Sequence, residues 1–285
     1  MKNSHPLVKN ILDDLSSFAP LELAEKWDHA GLQVGRSNCK VTGVLVALDA
    51  TGWTLHEAVQ KKLNLIITHH PLLPSKLTQS LKTLARKHQI NILSFHTNLD
   101  STSGGLNDLL AKKLHLKNTR PLLPNPQHPK VGLGRVGRLS KPIGFDQLCQ
   151  NLMRAFGLAH LRYVGNKKAR LKTIAVMSGS GGGFYREAKQ AGADALVTGD
   201  VKYHHALEAM AEGICLVDIG HYHSEIEMTA LITKLLKRKF LTLTIQISQT
   251  SQDPFQIKTP PISFLKKSPM AGILFPLSFE TLDPG

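Results

Sequence analysis

Histidine and acidic residues form four clusters, each of which follows a short apolar stretch. They are His69-His70, His96 with Asp100, Asp200 with His204 and His205, and His221 with Glu225. Imidazole and carboxylate groups together bind borderline divalent ions such as Zn, Mn, Fe, Co and Ni. Adjacent histidines on a strand point to opposite faces, but a chain that bends before Pro71 lets His69 and His70 straddle one site. The clusters therefore point first to metal chemistry.

Three histidines and two carboxylates at the ends of three strands exceed what one tetrahedral ion needs. Such a set could hold two ions about 3.5–4 Å apart, which is typical of two-metal hydrolytic sites. The alternative is that each histidine is an ordinary structural residue, and the spacing alone is compatible with both interpretations. We favour the metal interpretation because the residues recur at strand ends.

The elements that must position these residues alternate between helices and apolar strands. In the first half we predict helices over 5–18 (with Ser4 as N-cap), 54–62, 77–88 and 104–114, and strands over 41–48, 63–68 and 90–95. In the second half we predict helices over 148–156, 184–191, 203–211 and 225–239, and strands over 161–164, 173–177, 195–198, 214–219 and 241–247. Apolar strands alternating with helices predict a mostly parallel sheet covered on both faces.

The second half of the chain resembles a diverged copy of the first. When the two halves are aligned at an offset of 130 residues, four identities appear: Glu57, Ala58, Gln60 and Thr68 align with Glu187, Ala188, Gln190 and Thr198. We therefore predict an α/β fold of two related lobes, with the metal site in the cleft between their strand ends. The first lobe would span 1–125 and be completed by 226–258, and the second would span 126–225. The four prolines of 121–130 predict a connector, and 259–285 an irregular tail.

Composition excludes several classes of protein. The chain is 42% hydrophobic and 20% charged, without a long uncharged apolar run or a signal peptide, so we expect no membrane partner. Three widely spaced cysteines favour a reducing compartment, and hence the cytoplasm. The net charge of +14 would attract an anionic small molecule such as a nucleotide, or nucleic acid. Nucleic acid is not favoured, because no aromatic residues interleave the lysines.

A glycine-rich turn, SGSGGG, occupies residues 178–183 between a strand and a helix. Its backbone amides could cradle an anion, or the turn could be purely structural; both interpretations stay open. The turn is neither a dinucleotide fingerprint nor a Walker loop, and no GxSxG elbow supports a serine hydrolase.

Several motifs occur together in a specific order. They are WDHAGLQVG (27–35), THHP (68–71), HTNLD (96–100), GGLND (104–108), GRVG (134–137), SGSGG (178–182), TGDVKYH (198–204) and GHYHSE (220–225). With these motifs in this order, the chain resembles the NIF-three-like dinuclear-metal hexameric proteins, which are often labelled GTP cyclohydrolase 1 type 2 homologs. The resemblance covers residues 7–258, and it is to the short form of the family, which lacks an inserted domain. One departure is His29, which stands where asparagine is commoner.

The resemblance implies a homo-hexameric ring of two-lobed subunits with a pair of divalent ions in each. It assigns the metal ligands to His69, His70, Asp100, His221 and Glu225, and it places His96 near the ions as an acid, a base or a supporting group. A metal-dependent hydrolase with a GTP cyclohydrolase-like reaction is the expected function. A metal chaperone or insertase without turnover and a nucleic-acid-associated ring are the alternatives. The resemblance assigns no role to Asp200, His204 or His205.

Overall fold

The structure is a computed structural model that describes residues 5–258. The first lobe begins with α1 (Val8–Phe18), β1 (Gly31–Val34), β2 (Gly43–Val46), α2 (Gly52–Gln60), β3 (Leu65–Thr68), α3 (Lys76–Lys87), β4 (Asn91–Ser94), α4 (Thr97–Ser101) and α5 (Leu106–Lys113). Polar side chains fix two of these helix starts. The Thr51 hydroxyl accepts a hydrogen bond from the Thr54 amide, and Ser75 does the same for Thr78.

The chain then forms a second lobe and returns to the first. The second lobe contains β5 (Lys117–Pro124), β6 (Gly132–Gly144), α6 (Phe145–Phe156), β7 (Arg162–Val164), β8 (Arg170–Val176), α7 (Tyr185–Gln190), β9 (Ala195–Thr198), α8 (Tyr203–Ala211), β10 (Cys215–Asp218) and α9 (His221–Glu225). The last elements are α10 (Glu227–Lys239) and β11 (Thr244–Ile247), and β11 pairs with β2.

Each lobe contains one sheet. The first has the strand order β1-β4-β3-β2-β11, and the second has β5-β6-β8-β9-β10-β7. The strands β4, β3, β2 and β11 of the first sheet and β8, β9 and β10 of the second are parallel, with β1 and β7 as antiparallel edge strands. In the second sheet β5 and β6 add an antiparallel pair on the other side, next to β8. Helices cover both faces of the first sheet, as predicted. Val44 and Ile67 pack toward α1 and α10, whereas Leu45 packs toward α2 and α3.

The strand register shows that the lobes are related. Val44 pairs with Leu65 in the first sheet, and Ile174 pairs with Ala195 in the second, so both partners differ by the predicted offset of 130. The order β4-β3-β2 also matches β10-β9-β8, with an antiparallel strand beside β4 and beside β10. The two related lobes are thus confirmed. Both sheets lie in one compact unit that ends at Gln252, and the lobe boundaries themselves stay a prediction.

Some predicted elements are wrong. Residues 121–124 are not a connector, because they belong to β5, which pairs antiparallel with β6 along the edge of the sheet. An edge strand tolerates proline because one side of its ladder is unpaired. The predicted helix over 225–239 is present as α10, which begins two residues later, and the short helix α9 before it was not predicted. Ser4 as N-cap and the tail 259–285 lie outside the described residues. No helix within residues 5–258 is long and apolar enough to cross a membrane.

Candidate metal centre

The two adjacent histidines after β3 approach the same carboxylate. His69 is fully buried and its Nδ1 lies 2.8 Å from the Phe95 carbonyl, whereas His70 Nδ1 lies 2.8 Å from Asp49 Oδ1. Their Nε2 atoms then point to Glu225, at 3.5 Å from Oε1 for His69 and 3.1 Å from Oε2 for His70. The bend before Pro71 therefore lets both rings face one point, as the sequence predicted.

The second lobe supplies His221 and Glu225 from the two ends of α9. Gly220, in the left-handed region at φ +84°, turns the chain from β10 into this helix. One helical turn separates the two side chains, so His221 Nε2 lies 3.0 Å from Glu225 Oε2. His221 Nε2 is also 3.2 Å from His70 Nε2, and His221 Nδ1 lies 2.6 Å from Asp200 Oδ2.

Asp100 and His96 come from the segment that follows β4. Asp100 Oδ2 lies 3.8 Å from His69 Nε2, and its Oδ1 accepts a 2.7 Å hydrogen bond from the Ser178 hydroxyl. The His96 ring centroid is 5.0 Å from that of His69 and 5.5 Å from that of His70. His96 Nδ1 lies 3.0 Å from Asp28 Oδ1, which orients the ring.

The glycine-rich turn is packed against Glu225. The amides of Ser178, Gly179 and Gly181 donate to Asn107 Oδ1, Ser224 Oγ and Thr198 Oγ1. These amides are therefore used within the protein, which favours the structural interpretation over an anion cradle. Gly179 has φ +63°, and a Cβ built there would lie 2.5 Å from Glu225 Oε1. Glycine is required here because the backbone comes this close to the carboxylate.

The carboxylates of the cluster favour positive charge next to them, which shows in the pKa values of the surrounding groups. Burial opposes protonation of His70, but the carboxylates of Asp49 and Glu225 outweigh it and raise the pKa of His70 to about 10. The Glu225 carboxylate, 3.0 Å from Nε2 of His221, raises the pKa of His221 to about 9. Burial raises the pKa of the Asp100 carboxyl, whereas the histidines around Glu225 hold its pKa well below the usual range despite burial.

Unpartnered atoms and spacing fit a metal ion. His69 Nε2 and Glu225 Oε2 are buried without a hydrogen bond that satisfies them, at a cost that bound cations would remove. Two nitrogens on one tetrahedral zinc ion lie about 3.3 Å apart, close to the 3.2 Å between the Nε2 atoms of His70 and His221. Among residues 5–258, two overlapping groups have the spacing to hold an ion, namely His69–His70–His96 and His70–His221–Glu225. His70 is common to both, and its Nε2 can bind only one ion at a time.

The remaining sequence candidates behave differently. Asp200 joins the site through His221, whereas His204 and His205 lie on α8 and belong to neither of these two groups. Sequence reasoning missed Asp49 and Asp28 as partners of the histidines. Asp49 follows β2, so its place after a strand was the available signal, and Asp28 lies within the WDHAGLQVG motif.

Comparisons with known proteins agree with the fold and the motifs. Residues 6–254 match the model of the Duf34/NIF3 (NGG1p interacting factor 3) family. Relatives called GTP cyclohydrolase 1 type 2 homolog include one from Clostridium acetobutylicum, 34% identical over 88% of this chain and 98% of its own. Another, from Clostridium perfringens, is 35% identical over 87% of this chain and 98% of its own.

A solved structure supports the same assignment. It is that of a Bacillus cereus protein related to NIF3, which superposes with a TM-score of 0.81 at 25% identity and covers 89% of this chain and 99% of its own. With a family model that matches nearly the whole described chain, this protein belongs to the Duf34/NIF3 family.

Proposed function

We propose that the chain binds two divalent metal ions through His69, His70, Asp100, His221 and Glu225 and acts as a metal-dependent hydrolase. The observation that carries this proposal is the convergence of imidazole nitrogens on the two oxygens of one buried carboxylate. Glu225 Oε1 faces His69, and Oε2 faces His70 and His221. A carboxylate in that position could help to hold two divalent ions, which would supply the chemistry of a two-metal hydrolytic site.

The groups behind the histidines support this role. Asp49 and Asp200 accept from the Nδ1–H groups of His70 and His221, and the Phe95 carbonyl accepts from that of His69. With the proton on Nδ1, each Nε2 presents a lone pair to the centre of the cluster. Partners of this kind fix the orientation of metal-binding histidines and raise their basicity.

The protein's own residues define the chemistry that follows. Divalent ions, when bound, would supply Lewis acidity and activate water near neutral pH. His96 binds Asp28 through Nδ1, which leaves Nε2 to transfer a proton to or from a substrate. The Asp28 carboxylate also accepts from the Thr97 amide and hydroxyl, so the His96 ring is held in a fixed orientation. The names of the relatives make a GTP cyclohydrolase-like reaction on a nucleotide the first activity to test.

Assembly and location complete the proposal. We expect a homo-hexameric ring, as the family resemblance implies. We also expect the chain to work in the cytoplasm, because its three cysteines, Cys39, Cys149 and Cys215, are all free.

The test compares metal content with turnover in three variants. Asp100→Ala should lose metal and turnover. His96→Ala should keep at least the ion held by His70, His221 and Glu225, while hydrolysis of a nucleotide panel falls by at least about a hundredfold. His204→Ala is the control, because this exposed histidine lies outside both metal-binding groups. Full turnover by metal-free protein would overturn the proposal. A metal-loaded protein that turns over no nucleotide but passes metal to an apo-acceptor would favour the metal chaperone instead.

A further inference from the structure

The candidate metal centre opens into a cleft of about 610 Å³. Its floor contains His70, His221 and Glu225. Its walls are largely apolar and include Trp27, Leu72, Leu73, Leu77, Met177 and Phe184. Large apolar side chains are seldom left this exposed together, yet Trp27 is 63% and Leu77 72% exposed. The cleft therefore offers a molecule both a polar end and an apolar body.

Charge distribution separates this cleft from the rest of the surface. None of the described residues that line it is lysine or arginine, although the chain carries 35 of them. The charged groups present are three carboxylates, Asp49, Asp100 and Glu225, together with histidines. Polyphosphates are normally held by arginine, lysine or free backbone amides. Bound metal ions could take one anionic group, but no lysine or arginine among the described lining residues is available for a further phosphate.

Trp27 lies at the wall of the cleft, with one ring contact to the site. The rings of Trp27 and His96 pack edge to face, and their centroids are 5.8 Å apart. The next residue, Asp28, anchors the backbone because its carboxylate accepts from the amide of Thr97 at 3.0 Å. An exposed indole next to a polar centre is suited to stack on a flat ring.

We propose that this cleft takes a planar aromatic or heteroaromatic ring that carries no charge itself, stacks on Trp27 and directs its polar edge toward the cluster around Glu225. This inference names the substrate class of the proposed hydrolase and rests on that proposal for the orientation of the ligand. The stacking itself does not require bound metal. For a nucleotide, the ring system would carry the recognition and the polyphosphate would not.

The test uses two matched probes on the full chain after its metal has been removed with a chelator. N-phenyl-1-naphthylamine is uncharged, and 8-anilinonaphthalene-1-sulfonate has the same rings with one added sulfonate. We expect saturable binding of the uncharged probe at one site per chain, measured by its fluorescence, and weaker binding of the sulfonate. Trp27→Ala should lower the affinity for the uncharged probe by about tenfold, as expected when one stacking surface is lost. Trp53→Ala is the matched control, because Trp53 is 74% exposed and does not line the cleft.

Several results would overturn the inference. They are no saturable binding of the uncharged probe, equal binding by Trp27→Ala and wild type, or tighter binding of the sulfonate. A change of oligomeric state in Trp27→Ala without any probe binding would instead identify the apolar wall as a contact between copies of the chain. Metal uptake, measured after the same preparations have been reloaded with zinc, distinguishes the two proposals. Probe binding without metal uptake would refute the metal-dependent hydrolase but not the ring-binding cleft. Metal uptake without probe binding would refute the ring-binding cleft but not the hydrolase.

Discussion

Replacing Gly179 by alanine should weaken metal binding although it removes none of the candidate ligands. The new Cβ would lie 2.5 Å from Glu225 Oε1, and an ordinary contact begins at 3.4 Å, so the carboxylate oxygen has to move by the difference, about 0.9 Å. Metal–ligand distances tolerate only about 0.2 Å. Glu225 is 2% exposed and His69 lies 3.5 Å away, so the carboxylate cannot move without leaving its place among the histidines.

We expect Gly179→Ala to lose roughly ten- to a hundredfold in zinc affinity, measured by competition with a chromophoric chelator. Alanine in the left-handed region also costs about 1–2 kcal/mol, which urea unfolding of the metal-free protein would show. Gly179→Asn separates the two effects. Asparagine tolerates this backbone better, so less stability should be lost, whereas the clash remains.

Gly183→Ala is the matched control from the same turn. Its φ is not in the left-handed region, and its nearest neighbour is the His205 side chain at 3.3 Å. Its zinc affinity should equal that of the wild type. Wild-type affinity in Gly179→Ala and Gly179→Asn would refute the reasoning, because the carboxylate would then have no fixed place in the site.

Three further substitutions test other parts of the structure. Burial alone would raise the pKa of Glu57, but hydrogen bonds from the Lys61, Ser248 and Thr250 side chains and from the Gln249 amide lower it to about 2. Since the folded pKa is the lower one, this stabilisation is complete above about pH 4.5 and is lost as the pH falls toward 2. Glu57→Gln should therefore cost about 3 kcal/mol in urea unfolding at pH 7 and much less at pH 3, whereas Glu187→Gln, at the equivalent position, should cost little. Asp200→Asn should weaken zinc binding about ten- to a hundredfold in a chelator competition, while the exposed Asp146→Asn should not. Arg135 is buried and donates hydrogen bonds to Asp108 and to the carbonyls of Gly132, Gly134 and Thr102. Arg135→Met should therefore lower the unfolding free energy by about 3–5 kcal/mol. Arg138 is exposed on the same strand, so Arg138→Met should have little effect.

Much of the fold was predictable because local pattern and packing agree. The apolar run 195–198 forms β9 and the segment 203–211 forms α8, at the predicted bounds. The strand β1 was missed because its sequence, GLQV, is not a continuous apolar run and its exposure does not follow a simple alternation. The segment 121–124 was misassigned because prolines indicate a loop, whereas an edge strand accepts them.

The site was predictable in its residue types but not in its contacts. The placement of histidines and carboxylates after strands predicted that they converge, and the structure brings His70 and His221 together although they are 151 residues apart. No local pattern could pair Asp49 with His70 or Asp28 with His96. Those contacts depend on how strand ends align across a sheet, which is set by long-range pairing. The apolar walls of the cleft were also not predicted, because single exposed leucines are ordinary in sequence.

Elemental analysis of metal per chain tests the central claim most directly. Wild type, Glu225→Ala and His204→Ala would each be purified without added metal, loaded with zinc and freed of excess by gel filtration. Two ions held around the Glu225 carboxylate predict about two equivalents in wild type and in His204→Ala, and one or none in Glu225→Ala. No bound metal in wild type after loading, or two equivalents in Glu225→Ala, would contradict the account.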